Sequence, residues 1–159
     1  MILKILQVPN KILEQKTTPV KEVTPEILKL VRDMIDTCKK ANGIGLAAPQ
    51  VGKSLRVCII DLEHMGLPPF ALINPKIVRT SWKQVKMEEG CLSIPGVFGE
   101  VKRPSSVTVK ATNIEGNETK FKADGILARV IQHEIDHLDG VLFTSKMIRQ
   151  TSGEPQEKM

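Results

Sequence analysis

The stretch Gln132-His133-Glu134-Ile135-Asp136-His137 places two imidazoles one helical turn apart, with a carboxylate beside the first. Residues four apart on an α-helix share a face, so His133 and His137 can both address one ion. Glu134 lies next to that face, where it can take a proton from a water. This H-E-x-x-H spacing is that of metal-dependent hydrolases. It uses two of the chain's three histidines, which argues against an accidental match. The competing reading is a surface helix with unrelated polar residues.

Two histidines alone hold a metal poorly, so a third ligand is required. One metalloprotease pattern continues H-E-x-x-H-x-x-G-x-x-H. The chain follows it through Gly140 and then has Phe143 where that histidine belongs. A downstream helical glutamate is a second option. Its only candidates, Glu154 and Glu157, lie in a tail with Gly153 and Pro155, a composition opposed to a helix. His64 precedes a Gly-Leu-Pro-Pro loop and reads as a solvent residue. Cys91 remains, in Glu88-Glu89-Gly90-Cys91-Leu92-Ser93. A thiolate suits a borderline-soft divalent ion, and Cys with two His leaves one tetrahedral position for water. Taken alone, Cys91 reads as a buried core cysteine.

A third segment, Gly43-Ile44-Gly45-Leu46-Ala47-Ala48-Pro49-Gln50, imitates a dinucleotide-binding fingerprint. A helix precedes it where a strand is needed, and Pro49 opposes the required helix start, so that reading fails. Gly43 and Gly45 instead suit close approach of backbone amides to a ligand, with Gln50 adding a neutral side-chain donor.

These segments must be positioned by the rest of a 159-residue chain, long enough for one domain burying about two-thirds of its unfolded surface. Hydrophobic and charged contents of 41% and 26% are those of a globular protein, and no apolar run approaches the ~20 residues of a membrane span. Residues 1–7 are too short for a signal peptide, so a cytoplasmic location is expected. Three cysteines at irregular spacing exclude a full disulfide framework; Cys38 and Cys58, among apolar neighbours, read as inert core thiols. The net charge is +5, but the basic residues are dispersed, which does not support nucleic-acid recognition.

Thr24, Pro25 and Glu26 open an amphipathic helix predicted to run to Ala41, with Ile27, Val31, Met34, Ile35 and Cys38 on its apolar stripe and Asn42-Gly43 as its stop. Strands are predicted at 56–61, 70–73, 77–80, 82–87 and 106–112, and alternation continues at Thr119, Phe121 and Ala123. Asn113–Asn117, with Gly116, reads as a hairpin loop. Asp124-Gly125 opens the motif helix and Asp139-Gly140 closes it. The expected class is α+β: antiparallel strands packed around a central metal-binding helix, with an N-terminal amphipathic helix. One catalytic domain is expected over residues 1–149, followed by a polar, flexible tail over 150–159.

Taken together, Gly43–Gln50, Glu89–Ser93 and Gln132–Gly140 resemble the three ordered blocks of the peptide deformylase family, with every defining residue present. The likeness runs from about Val8 to Met147. Members with a long C-terminal helix carry an extra element not evident in this tail. The resemblance implies removal of the formyl group from the initiator methionine of new bacterial-type or organellar polypeptides, releasing formate. It also implies one divalent ion held by Cys91, His133 and His137, ferrous iron in the native enzyme, with zinc, nickel or cobalt fitting the same donors. Glu134 is then the base, and the Gln50 amide and Leu92 N–H stabilise the oxyanion. Ile126 and Val130, on the His133 face of the helix, would form with Ile44 an apolar slot for methionine; core packing is the alternative. Backbone around Gly45 would pair with an extended peptide. Glu89 is expected to pair with Arg103 and fix the Cys91 loop, or else to be a surface pair of little value. The implied partners are formyl-methionyl nascent peptides, with transient ribosome proximity and neither a specific nucleic acid nor a membrane. Two rivals stand beside this reading. One is a zinc endopeptidase using the same helix motif. The other is a non-catalytic module with a closed structural zinc site, for which no fourth ligand sits at a suitable spacing.

Overall fold

The chain is described over residues 1–155 by a computed structural model. Two helices, α1 (Pro25–Lys40) and α2 (Gly125–Leu138), combine with eight strands: β1 (Gly45–Ala47), β2 (Val57–Leu62), β3 (Leu67–Thr80), β4 (Gln84–Cys91), β5 (Ile94–Pro104), β6 (Ser106–Thr112), β7 (Glu118–Asp124) and β8 (Met147–Ser152). The strands form a five-stranded sheet ordered β1-β2-β3-β6-β7 and a three-stranded sheet ordered β4-β5-β8. Pairing within both is antiparallel. The α+β expectation is met.

α1 begins where the sequence asks it to: the Thr24 hydroxyl accepts from the Ile27 N–H at 3.3 Å, and Pro25 occupies the first turn. It stops at Asn42, whose φ of 56° is left-handed. Its apolar stripe packs with Leu46, Val57, Ile59, Ala71 and Ile73 on one face of the larger sheet. The opposite face, through Cys58, Ile60, Leu72, Val107 and Val109, packs on Val130, Ile131, Ile135 and Leu138 of α2. The motif helix is thus buried against the sheet rather than lying on the surface, and ten of its residues are buried.

Several elements differ from expectation. The segments predicted at 70–73 and 77–80 are one strand, β3; a register shift between Ile73 and Lys76 absorbs Pro75, and Asn74 takes φ 53° there. β5, rich in Pro and Gly, pairs with β4 from Gln84↔Pro104 to Glu89↔Gly99 and beyond. The tail expected from Gln150 onward is corrected in its first three residues, because Gln150–Ser152 complete β8 through backbone pairing with β5. The end of that tail, 156–159, lies outside the described residues. No helix among the described residues is long and apolar enough to cross a membrane.

Candidate metal centre

Cys91 ends β4, at the edge of the smaller sheet, while both histidines project from α2. The fold brings them together: one donor atom from each of Cys91, His133 and His137 lies within 4.8 Å of the others. Cys91 Sγ is 3.2 Å from His137 Nε2, and the two imidazoles stand 5.0 Å apart between centroids at 68°. No fourth Cys, His, Asp or Glu joins this cluster among the described residues. One sulfur and two ring nitrogens without a fourth protein donor are the set expected for an open, catalytic divalent site, so the residues fit the ion the sequence implies.

The surroundings favour a thiolate. Burial alone would push the Cys91 thiol up; the His137 charge and hydrogen bonds from His133 and His137 overcome it and hold the thiol well below its usual range. Sγ also accepts from the Ser93 N–H at 3.4 Å and from Gln50 Nε2 at 3.5 Å. Gln50 is buried and fixed at both ends: Oε1 accepts from the Ala47 N–H at 2.9 Å, and Nε2 donates to Ser93 Oγ at 3.1 Å. The N-terminal segment straps both loops, since the Leu6 N–H donates to Gln50 O and the Val8 N–H to Ser93 O.

Glu134 is 3% exposed, and Oε2 has no hydrogen-bond partner among the described residues. Burial raises its pKa above the ordinary carboxylate value, although both histidines pull it down. A lone carboxylate oxygen turned into a buried site is suited to taking and returning a proton. Gly45 makes this possible by close approach: a Cβ there would stand 2.8 Å from Glu134 Oε1 and 3.0 Å from Val130 Cγ1.

Behind His133, Nδ1 is 2.9 Å from Glu89 Oε1, which fixes the ring with Nε2 toward the cluster. The expected Glu89–Arg103 pair is buried and bidentate, at 2.6 and 3.0 Å, and is no surface pair. Arg103 also reaches Asp136 Oδ2 of α2 at 2.7 Å. Burial opposes the Glu89 charge, but His133 and Arg103 overcome that penalty and hold its carboxyl below the usual range.

A cavity of about 520 Å³ opens beside the cluster. Ile44, Gly45, Gln50, Leu92, Ile126, Val130, Cys91, His133 and Glu134 all line it; His137, 1% exposed, does not. Ile44 is 40% exposed at the rim, whereas Val130 is buried. Three contributors had no role assigned from the sequence. Arg129 Nη1 bonds Glu89 Oε2 at 2.7 Å and Val101 O at 2.8 Å, and Nη2 bonds Val85 O at 2.6 Å. An arginine four residues before His133, on the same side of the helix, was the available signal. Ser93 holds Gln50, and the Phe98 ring fills the space a side chain at Gly90 would need. Only cross-strand pairing Gly90↔Phe98 reveals the last.

Residues 2–152 match the family model for polypeptide deformylase. The chain belongs to that family. A peptide deformylase of Halothermothrix orenii is 48% identical over 93% of this chain and 95% of its own length, and one of Dictyoglomus thermophilum is 45% identical over 95% and 96%. The peptide deformylase of Thermotoga maritima superposes with a TM-score of 0.89 at 37% identity, covering 92% of this chain and 98% of that one. That of Synechococcus elongatus, solved with actinonin, gives 0.87 at 46% identity, covering 91% and 78%. The family model and these relatives are alike deformylases, so the endopeptidase reading has no support.

Proposed function

We propose that this deformylase hydrolyses the N-formyl group of peptides beginning with formyl-methionine, with Glu134 as proton carrier and Cys91, His133 and His137 holding one divalent cation, ferrous iron in the native protein. The chain is a metal-dependent enzyme of that activity class. When bound, the cation supplies Lewis acidity, bringing a water's pKa toward neutrality and polarising the formyl carbonyl. Glu134 takes the proton of the attacking water and returns it to the departing amine. The Gln50 amide and Leu92 N–H donate to the oxygen as it becomes negative; removing one such donor typically costs about 2.7–4 kcal/mol. Ile44, Ile126 and Val130 receive the methionine side chain, and Gly45 backbone pairs with the extended peptide, as befits a short edge strand.

The single observation that carries this reading is the convergence of Cys91, His133 and His137 with the unpartnered, buried Glu134 oxygen. A soft thiolate beside two imidazoles suits ferrous iron, zinc, nickel or cobalt. The substrate's source, new polypeptides of bacterial or organellar translation, makes cytoplasm or organelle matrix the expected location, with transient ribosome proximity.

Formyl-Met-Ala and an unformylated peptide of similar length test it together. Release of formate from the first, with no cleavage of the second, is expected from anaerobically purified protein. Cys91→Ala should lose stoichiometric metal; retained metal in that variant would remove the thiol from the ligand set, and peptide-bond cleavage would overturn the activity.

A further inference from the structure

The face of the larger sheet opposite α2 is covered only in part. α1 packs on its β1–β2 end and reaches β3 at Ala71 and Ile73. Beyond Ile73 no core cluster of the described residues covers that face, and strand register sets six of its positions side by side. Lys76 of β3 stands opposite Lys110 of β6, which stands opposite Lys120 of β7. In the next rung, Arg79 stands opposite Thr108, and Thr108 opposite Lys122. Directly opposed residues project to one side of a sheet, and residues two apart along β6 or β7 share that side. The register shift between Ile77 and Arg79 keeps Arg79 on it. The result is a grid of five cations and one threonine, with strands about 5 Å apart and rungs about 7 Å apart. All five cations are exposed.

Acidic residues stand at its margins: Glu118, 2.7 Å from Lys110 Nζ, Asp124, opposite Ser106, and Glu22 and Glu115, which border the face beyond Thr112. Lys76, Arg79, Lys120 and Lys122 make no ion pair among the described residues. Like charges in direct register destabilise a sheet, and an exposed threonine or glutamine would serve the fold better. The loop leaving β3 adds Trp82, fully exposed, followed by Lys83.

We propose that this grid docks the protein on the phosphodiester backbone of RNA. Rows of lysine meet phosphates without reading bases, and a bare indole at the end of the array offers a stacking surface. A membrane-seated face would set a stripe of apolar side chains among the cations; here the exposed apolar residues, Val78 in the β3 irregularity, Ile114 in the β6–β7 hairpin and Trp82, stand apart at the edges. The choice of RNA rests on the deformylase reading, because a formylated nascent chain emerges from an RNA-rich particle. The cations are scattered in sequence, and pairing alone assembles them.

The test uses the full chain, a labelled mixed-sequence single-stranded RNA about 20 nucleotides long, and fluorescence anisotropy at several salt concentrations. A Lys76→Gln/Lys120→Gln/Lys122→Gln variant is compared with Lys4→Gln/Lys11→Gln/Lys53→Gln, which has the same net charge. The grid variant should lose about 2 from the log–log salt slope and about 10²-fold in affinity near about 50 mM salt, while the control variant stays within about threefold of the parent. Equal losses in both variants, or no RNA binding by the parent, would overturn the proposal. Grid-dependent binding to phosphatidylglycerol vesicles without RNA binding would also overturn it. Melting temperature should be unchanged or raised in the grid variant; a drop of several degrees would assign the lysines to the fold and overturn the docking role. Formate release from formyl-Met-Ala, expected to be equal in all three proteins, separates this outcome from the deformylase reading, which fails if the parent releases none.

Discussion

Glu89→Gln isolates the charge at the centre of the site's support. The native carboxylate accepts from Arg103 at 2.6 and 3.0 Å, from Arg129 at 2.7 Å and from His133 at 2.9 Å. Both guanidinium groups are buried, 3% and 6% exposed. Removing one partner of a buried ion pair leaves uncompensated charge and costs about 3–5 kcal/mol. The low end applies here, because Arg103 keeps Asp136 and Arg129 keeps the carbonyls of Val85 and Val101. A loss of about 3 kcal/mol is a large share of a typical 5–15 kcal/mol stability. For a domain of this size it corresponds to a melting temperature lowered by roughly 6–12 °C.

Urea denaturation at matched metal content is the assay, with the slope expected to be unchanged and the midpoint lowered. The pH dependence gives an independent check. The Glu89 carboxyl is depressed on folding, so its contribution is complete above the unfolded value of about 4.3 and is lost as pH falls through the lower folded value. The gap between parent and variant should therefore hold from pH 7 to about 5 and close only in stronger acid. Metal affinity should fall roughly tenfold, since His133 exchanges an anionic acceptor for a neutral one. A variant within about 1 kcal/mol of the parent at pH 7 would refute the reasoning, because it would mean that the arginines find water or new partners.

Glu134→Gln should retain bound metal while formate release from formyl-Met-Ala collapses; near-normal turnover would remove Glu134 as proton carrier. Gln50→Ala should lower kcat by about 10²–10³-fold with a smaller change in KM, read from steady-state kinetics. Burial pushes Cys38 up to about 12 and Cys58 well above its ordinary value, so the folded chain keeps protons that the unfolded chain releases above about pH 8.5. Stability should then decline with rising pH in that window, and thiol titration of native protein at pH 8 should find both cysteines unreactive until denaturant is added.

What the sequence disclosed follows the range of the forces involved. α1, α2 and β6 depend on local signals, namely the Thr24 cap, apolar periodicity and strict alternation, and they appear where expected. β5 carries Pro95, Gly96, Gly99 and Pro104 and forms because β4 and β8 flank it, a circumstance no local pattern expresses. β8 is polar for the same reason: its pairing is backbone to backbone, and its side chains are mostly exposed. Within the site, residues whose chemistry is unusual for their setting were legible, as with Cys91 and Gln50. Arg129 was not, because its role lies in bonds to carbonyls of Val85 and Val101, far away in sequence.

Arg129 also bears on how Cys91, His133 and His137 are kept in register. Cys91 belongs to the three-stranded sheet and both histidines to the helix beneath the five-stranded one, so their separation is set by how the two units are joined. Arg103, from β5, spans Glu89 of β4 and Asp136 of α2, while Arg129, from α2, returns to β4 and β5. Apolar contacts tolerate small slips between packed layers; crossed, bidentate arginine bonds do not, because each guanidinium fixes both distance and plane. Glu89 therefore has two connected tasks, orienting His133 and tying the sheet that carries Cys91 to the helix that carries His133. Arg129→Lys keeps the charge but cannot reproduce three directed bonds. It should weaken metal binding and alter the visible spectrum of the cobalt-loaded protein, which reports donor geometry. An unchanged spectrum would show that apolar packing alone sets the spacing.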